Sequence, residues 1–132
     1  MAKLEGKTAI VTGGGSGLGE ASSELLAAEG ASVVVSDVNE EAAERTADII
    51  NQKGGSAISL AHDVTNQDEW PQVVQTAVKE FGSLDILVNN AGISGAAGVA
   101  MEDVDFEAWR QVMSVNLDAV FLGCQEAIRA MK

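Results

Sequence analysis

An apolar run, Thr8-Ala9-Ile10-Val11, passes directly into Thr12-Gly13-Gly14-Gly15-Ser16-Gly17-Leu18-Gly19 and then into Glu20-Ala21-Ser22-Ser23-Glu24-Leu25-Leu26-Ala27-Ala28-Glu29. No other stretch restricts the fold so severely. The succession predicts a strand, a glycine turn and a helix, with Gly30 closing the helix as its C-cap. Each glycine has a physical task. Gly13 permits the tight turn off the strand, Gly17 lets backbone approach a pyrophosphate, and Gly19 lets helix and strand pack closely. The helix then points its free N–H groups and its dipole at the anion. Five glycines between Gly13 and Gly19 also suit a merely flexible loop, so the octapeptide needs support from elsewhere in the chain.

That support comes from Asp37, which ends the next apolar run, Ser32-Val33-Val34-Val35-Ser36. An acid about this far past the glycines is where a dinucleotide-binding unit holds the ribose 2′-hydroxyl. Its charge would repel a 2′-phosphate. No Arg or Lys lies between Thr8 and Arg45 to neutralise one. NAD is therefore expected over NADP.

A chain of 132 residues is long enough for one domain with a real core, so residues 1–132 are read as a single unit. Twenty acidic against eight basic residues leave a net charge of −12, which argues against nucleic acid or an anionic membrane as partner. A phosphate site must then rest on local backbone dipoles, against the global field. No apolar stretch approaches the roughly 20 residues of a membrane span, and Met1 to Lys7 has no signal-peptide apolar core. Cys124 is the one cysteine, so no internal disulfide can form, and a reducing, cytoplasmic setting is expected. No metal is expected.

Strand and helix patterns alternate with no linker or low-complexity tract. After the Asp37 strand, Asn39 to Ile50 reads as a helix with acids in its first turn, broken at Lys53-Gly54-Gly55. Ala57 to His62 alternates as a third strand and ends at Asp63-Val64. A third helix runs from about Asp68 to Phe81, because Pro71 is tolerable only in a first turn. Asp85 to Asn89 reads as a fourth strand, Ile93 to Ala100 as a loop of small residues, and Val104 onwards as one last helix. Right-handed crossovers then predict an α/β fold, a doubly wound parallel sheet in the order 3-2-1-4. Ligand belongs at the carboxyl ends of strands one and four, where the order reverses. Thr12 to Gly19, Asp37, Asp63 and Asn90 all fall on that edge.

Four spaced signals together resemble the short-chain dehydrogenase/reductase family: Thr12-Gly13-x-x-x-Gly17-x-Gly19, Asp37, Asp63-Val64 and Asn89-Asn90-Ala91-Gly92. A fifth is Asn116 in Ser114-Val115-Asn116-Leu117, and the match spans nearly the whole chain. The resemblance implies a Rossmann-type sheet whose loop from Gly13 through Ser16, Gly17 and Leu18 to Gly19 holds the pyrophosphate. It implies Asp37 and the Val38 backbone at the adenosine ribose, Asp63 at the adenine amino group, and Val64 beside the ring. Asn90, Ala91 and Gly92 would pass under the cofactor, with Asn89 bracing the fourth strand. Asn116 corresponds to the family's catalytic asparagine, whose backbone holds a water on the path to an active-site lysine.

Each residue also has a plainer role to weigh. Asp63 suits a turn after a strand, Asn89-Asn90 a solvated turn, and Asn116 an exposed or helix-bending position. His62 reads as a strand-end residue, Cys124 as a small buried hydrophobe, and Phe106 and Trp109 as packing groups.

The family's chemistry implies a Ser, a Tyr and a Lys in the carboxyl-terminal half, yet this chain has no tyrosine. The chain is therefore expected to be the amino-terminal half, stopping before a fifth strand and inert in hydride transfer by itself. In complete form the family exchanges hydride between a nicotinamide cofactor and an alcohol or ketone. The alternative is a non-catalytic truncated module that binds nucleotide or a partner. A methyltransferase would not need Asn89 to Gly92 or Asn116, and a P-loop NTPase needs a Gly-Lys-Ser/Thr that is absent. Strand four becomes an exposed edge in this reading, and the last helix bares Phe106, Trp109, Val112, Val120 and Phe121. Self-association, or pairing with a carboxyl-terminal half, is expected to cover them.

Overall fold

The computed structural model describes residues 2–132. The apolar run and glycine turn become β1 (Thr8–Thr12) and α1 (Gly17–Ala28). β2 (Ser32–Asp37), α2 (Glu40–Gln52), β3 (Ser56–Ala61), α3 (Glu69–Phe81) and β4 (Ile86–Val88) follow in alternation. The strands form one parallel sheet in the order β3-β2-β1-β4. β1 is central and wholly buried, and pairs Thr12 with Ser36 of β2 and Val11 with Val88 of β4.

Side-chain alternation along the strands feeds two cores. Val11, Val33 and Val35 face Ala27, Ala43, Ala47 and Ile50 from α1 and α2. Ile10 and Val34 face the other way, onto Val73, Val74 and Ala77 of α3 and Ala127 of the last helix. The expected strand order and layers are those observed.

Several boundaries differ from expectation by one or two residues, and three of them have a local reason. α2 starts one residue late because the Asn39 side chain caps it, its Oδ1 accepting from Ala42 N at 3.1 Å. β4 is shorter than Asp85 to Asn89. At its start the Asp85 carboxylate accepts from Thr8 N (2.9 Å) and Ser83 Oγ (2.8 Å), which holds that carboxyl below the usual range. At its end the Thr12 hydroxyl accepts from Asn90 N (3.0 Å) and Ala91 N (3.1 Å), so a side chain replaces the backbone ladder.

The expected last helix starts at Phe106 and runs on to Met131, but it carries a π-bulge that the spacing does not predict. α4 (Phe106–Met113) and α5 (Ala119–Met131) are joined by one wide π turn over Ser114–Asp118, after a short 3₁₀ turn at Met101–Asp103. A π turn inside an α-helix often marks a functional position, and Asn116 sits in this one. A further correction concerns one side chain. Cys124 is exposed rather than buried, since on α5 it is Ala119, Gly123 and Ala127 that face inward. Phe106 (68 % exposed) and Trp109 (49 %) lie bare on α4, as expected for this stretch. Arg110 lies over the Phe106 ring, 5.8 Å from its centre.

Candidate dinucleotide-binding site

The carboxyl ends of β1, β2, β3 and β4 open into one groove of about 400 Å³. Gly13 and Ser16 line it from the glycine loop, Asp37 and Val38 from the end of β2, and Asp63 and Val64 from the end of β3. Asn90, Ala91 and Gly92 line it from the end of β4. Nine expected cofactor residues from four separate segments therefore share one surface. Gly17, Leu18 and Gly19 stand on the loop's outer and inner sides instead of in the groove wall.

The loop is built so that a side chain cannot enter it. Gly13 has φ +62°, and a Cβ there would come 2.9 Å from Ala91 Cα. A Cβ on Gly19 would strike the Gly13 carbonyl oxygen and the Asn90 side chain, so α1 and β4 both lie hard against the loop. Gly17 has φ +55° with open space around it, and Leu18 is 80 % exposed. Ser16 takes the N-cap position of α1 without a side-chain bond to the helix, so the helix's first N–H groups remain for an anion. The backbone cradle fits a pyrophosphate on these grounds.

Asp37 is held from two sides. Its Oδ2 accepts from Gly15 N and its Oδ1 from Asn39 N, both at 2.9 Å. The carboxylate therefore fixes the loop as well as facing the groove, and each oxygen keeps a lone pair for a further donor. Arg45 of α2, with no acidic partner among the described residues, donates from Nη2 to the Gly15 carbonyl at 3.0 Å. The sequence stops the search for cations just short of this residue, and only the helix turn shows that it reaches the loop.

Asp63 forms its turn, with Oδ1 accepting from Thr65 N (3.0 Å) and Thr65 Oγ1 (2.7 Å), while still lining the groove. The turn role and the groove position are compatible. Asn90, not Asn89, ties β4 to the loop: its Nδ2 donates to Thr12 O (3.1 Å) and Gly13 O (3.2 Å). Asn89 reaches Cys124 Sγ on α5 at 3.5 Å. Asn116 pins the strand-four loop through Ile93, accepting from its N and donating to its O, both at 2.9 Å.

Sequence reasoning set His62 beside the site only as a strand-end residue, and missed three further groove residues: Ile93, Gln111 and Val115. Gln111 and Val115 sit one turn apart, a spacing that places two residues on one helix face. His62 is 3 % exposed and is the buried end of β3's run into the groove. Its ring Nδ1 lies 3.1 Å from Ser36 Oγ, and burial holds its pKa below the ordinary value against the nearby Glu69 and Asp63 carboxylates. Among the described residues no cluster of His, Cys, Asp and Glu could hold a metal, and no helix is long and apolar enough to cross a membrane.

The short-chain dehydrogenase model matches residues 7–132. A 2,5-dichloro-2,5-cyclohexadiene-1,4-diol dehydrogenase of Sphingobium indicum is 42 % identical over 126 residues, 96 % of this chain and 50 % of its own length. Cyclohexanol dehydrogenase of Acinetobacter sp. is 40 % identical over 98 % of the chain and 51 % of its own length. Among solved structures, a hydroxysteroid dehydrogenase from Escherichia coli superposes with a TM-score of 0.90 at 37 % identity, covering 98 % of this chain and 54 % of that one. The chain spans about half the length of the curated relatives it matches.

Proposed function

The chain belongs to the short-chain dehydrogenase family, and on that premise we propose that it is the NAD(H)-binding portion of an oxidoreductase for alcohols and ketones. The observation that carries this is the single groove shared by Gly13, Asp37, Asp63 and Asn90, whose segments are far apart in sequence. In this reading the loop from Gly13 to Gly19, with Ser16 and Leu18, takes the pyrophosphate on backbone N–H groups. Asp37 and Val38 take the adenosine ribose, Asp63 and Val64 the adenine, and Asn90, Ala91 and Gly92 run beneath the cofactor.

The nicotinamide supplies the hydride acceptor or donor. This chain's residues bind and orient. Asn116 holds the loop after β4 in register through Ile93, which keeps Gly92 and Ile93 on the groove wall. The chain has no tyrosine, so the proton transfer that the family assigns to one needs residues beyond these. Relatives named for cyclohexanol, cyclopentanol and a cyclohexadiene diol support a ring-borne secondary alcohol as the substrate class of the complete protein. A reducing, cytoplasmic setting belongs to the same reading, supported by the single cysteine.

Preference for NAD over NADP rests on Asp37, whose carboxylate offers the ribose an acceptor and a 2′-phosphate only repulsion. Titration of NADH and NADPH fluorescence against the purified chain tests both levels. Saturable NADH binding with weaker NADPH binding is expected, without turnover of cyclohexanol. Absence of NADH binding defeats the cofactor reading, and equal NADPH affinity defeats the preference alone.

A further inference from the structure

We propose that His62, in its neutral form, is a positioning residue for the adenosine end of the groove: it latches the end of β3 to the end of β2 and so sets Asp63 and Val64 against Asp37. The proposal rests on the dinucleotide reading above. Two bonds make the latch. The His62 backbone N donates to the Asp37 carbonyl at 2.9 Å, and its ring Nδ1 lies 3.1 Å from Ser36 Oγ. Ser36 and Asp37 are the last two residues of β2. The ladder that pairs Asp37 with Ala61 thus ends on one residue, whose backbone holds Asp37 and whose ring holds Ser36.

The ring is also packed into the floor of the groove. It meets the Trp70 indole edge to face, 4.5 Å between centres at 86°. Trp70 Nε1 in turn donates to the Val64 carbonyl at 2.9 Å. Imidazole, indole and the Val64 backbone move as a unit. Within that unit His62 Nε2 is buried and has no hydrogen-bond partner.

Only a neutral ring tolerates this. The imidazolium carries a donor on each nitrogen, and a buried Nε2–H⁺ finds no acceptor there. The charged groups that act on the ring are Asp63 beside it and Glu69 in the first turn of α3, whose Oε1 accepts from Asp63 N at 3.1 Å. Ser36 and Trp70 are uncharged. Both carboxylates favour a proton on His62, but burial outweighs them. Protonation therefore draws the ring out of its slot, releases Ser36 and unseats Trp70 and Val64.

A ligand over the adenosine end holds the ring in its slot, and by linkage it must then lower the ring's proton affinity. Because the folded value lies below the ordinary one of about 6.5, the latch is complete above the ordinary value and is lost as pH falls through the lower, folded one.

His62 is the chain's only histidine, so its Hε1 resonance reads the site without ambiguity. The expected titration midpoint is below that of the urea-unfolded chain and falls further with saturating ADP-ribose. NADH and ADP-ribose should bind about 5-fold more weakly or worse at pH 5.5 than at pH 7.5, the low end of typical couplings. Nicotinamide mononucleotide should show no such slope. In His62→Gln the pH slope should vanish, whatever the variant's NADH affinity at pH 7.5. A midpoint that ADP-ribose leaves unmoved, or a slope retained in His62→Gln, overturns the proposal while NADH binding stands. Failure of NADH and ADP-ribose to bind at any pH defeats the dinucleotide reading and this proposal with it.

Discussion

Asp37 shows how much one side chain can be asked to do. Its carboxylate accepts from Gly15 and Asn39 and also faces the groove, so it serves the loop before any ligand arrives. Arg45 meets the same residue from the other side, on the Gly15 carbonyl. The glycine loop is therefore gripped between a carboxylate and a guanidinium, both from beyond the first helix. Asp37→Ala removes the proposed ribose acceptor and the repulsion of a 2′-phosphate together. NADH should then bind roughly tenfold more weakly or worse, as expected for a lost bond to a charged group at about 1.5–3 kcal/mol. The NADH-to-NADPH ratio should narrow as well. Adding Arg45→Met to that variant should cost NADPH more than NADH, because the cation nearest the loop is gone. Fluorescence titration of the four proteins of this cycle measures the coupling directly.

At the scale of elements, the π-bulge between α4 and α5 matters most. A continuous helix from Val104 is what the apolar spacing suggests, since Val112, Met113, Val120 and Phe121 suit a helical repeat. The wide turn at Ser114–Asp118 sits within it and turns Asn116 towards Ile93. Two bonds then hold a loop that otherwise consists of small residues. Asn116→Ala should cost about 1–3 kcal/mol, at the usual 0.5–1.5 kcal/mol for each of its two bonds, read as a lower midpoint in denaturant. Hydrogen exchange should accelerate between Ile93 and Ala100 before it does in β1 or β2. Unchanged exchange in that loop would show that Asn116 does not hold it.

The whole molecule carries unfinished surfaces. β4 pairs only with β1 and leaves its other edge open, with all three of its residues half-buried. Phe121 (64 % exposed), Leu117 (55 %) and Ile128 (53 %) lie bare on the turn and α5, and Phe106 and Trp109 on α4. Beside them a hollow of about 640 Å³ is lined by Leu117, Val120, Phe121 and Leu122. Covering each large side chain is worth roughly 1.5–3 kcal/mol, so several of them rival the roughly 5–15 kcal/mol stability of a typical domain. The chain alone is therefore expected to associate with copies of itself through the strand-four edge or the α4–α5 face. Light scattering should give more than the 13.6 kDa of one chain, and Phe121→Asp should shift the population towards monomer if α5 is the contact. A monodisperse monomer that unfolds cooperatively would contradict this.

What the sequence determined by itself was whatever local pattern controls: the strands and helices, their parallel 3-2-1-4 order, and the edge on which Gly13, Asp37, Asp63 and Asn90 meet. Period, glycine position and crossover handedness suffice for these, because each acts over a few residues or over the chain's order alone. Tertiary structure alone decided the rest. The place of Arg45 on Gly15, the Ser36–His62 latch and the Asn116–Ile93 clasp each join residues more than twenty positions apart. The exposure of Cys124 turned on which face α5 presents, since Gly123 and Ala127 take its inward positions. Packing across the sheet chooses among partners that local propensity leaves equivalent, and that choice made His62 a wall of the groove.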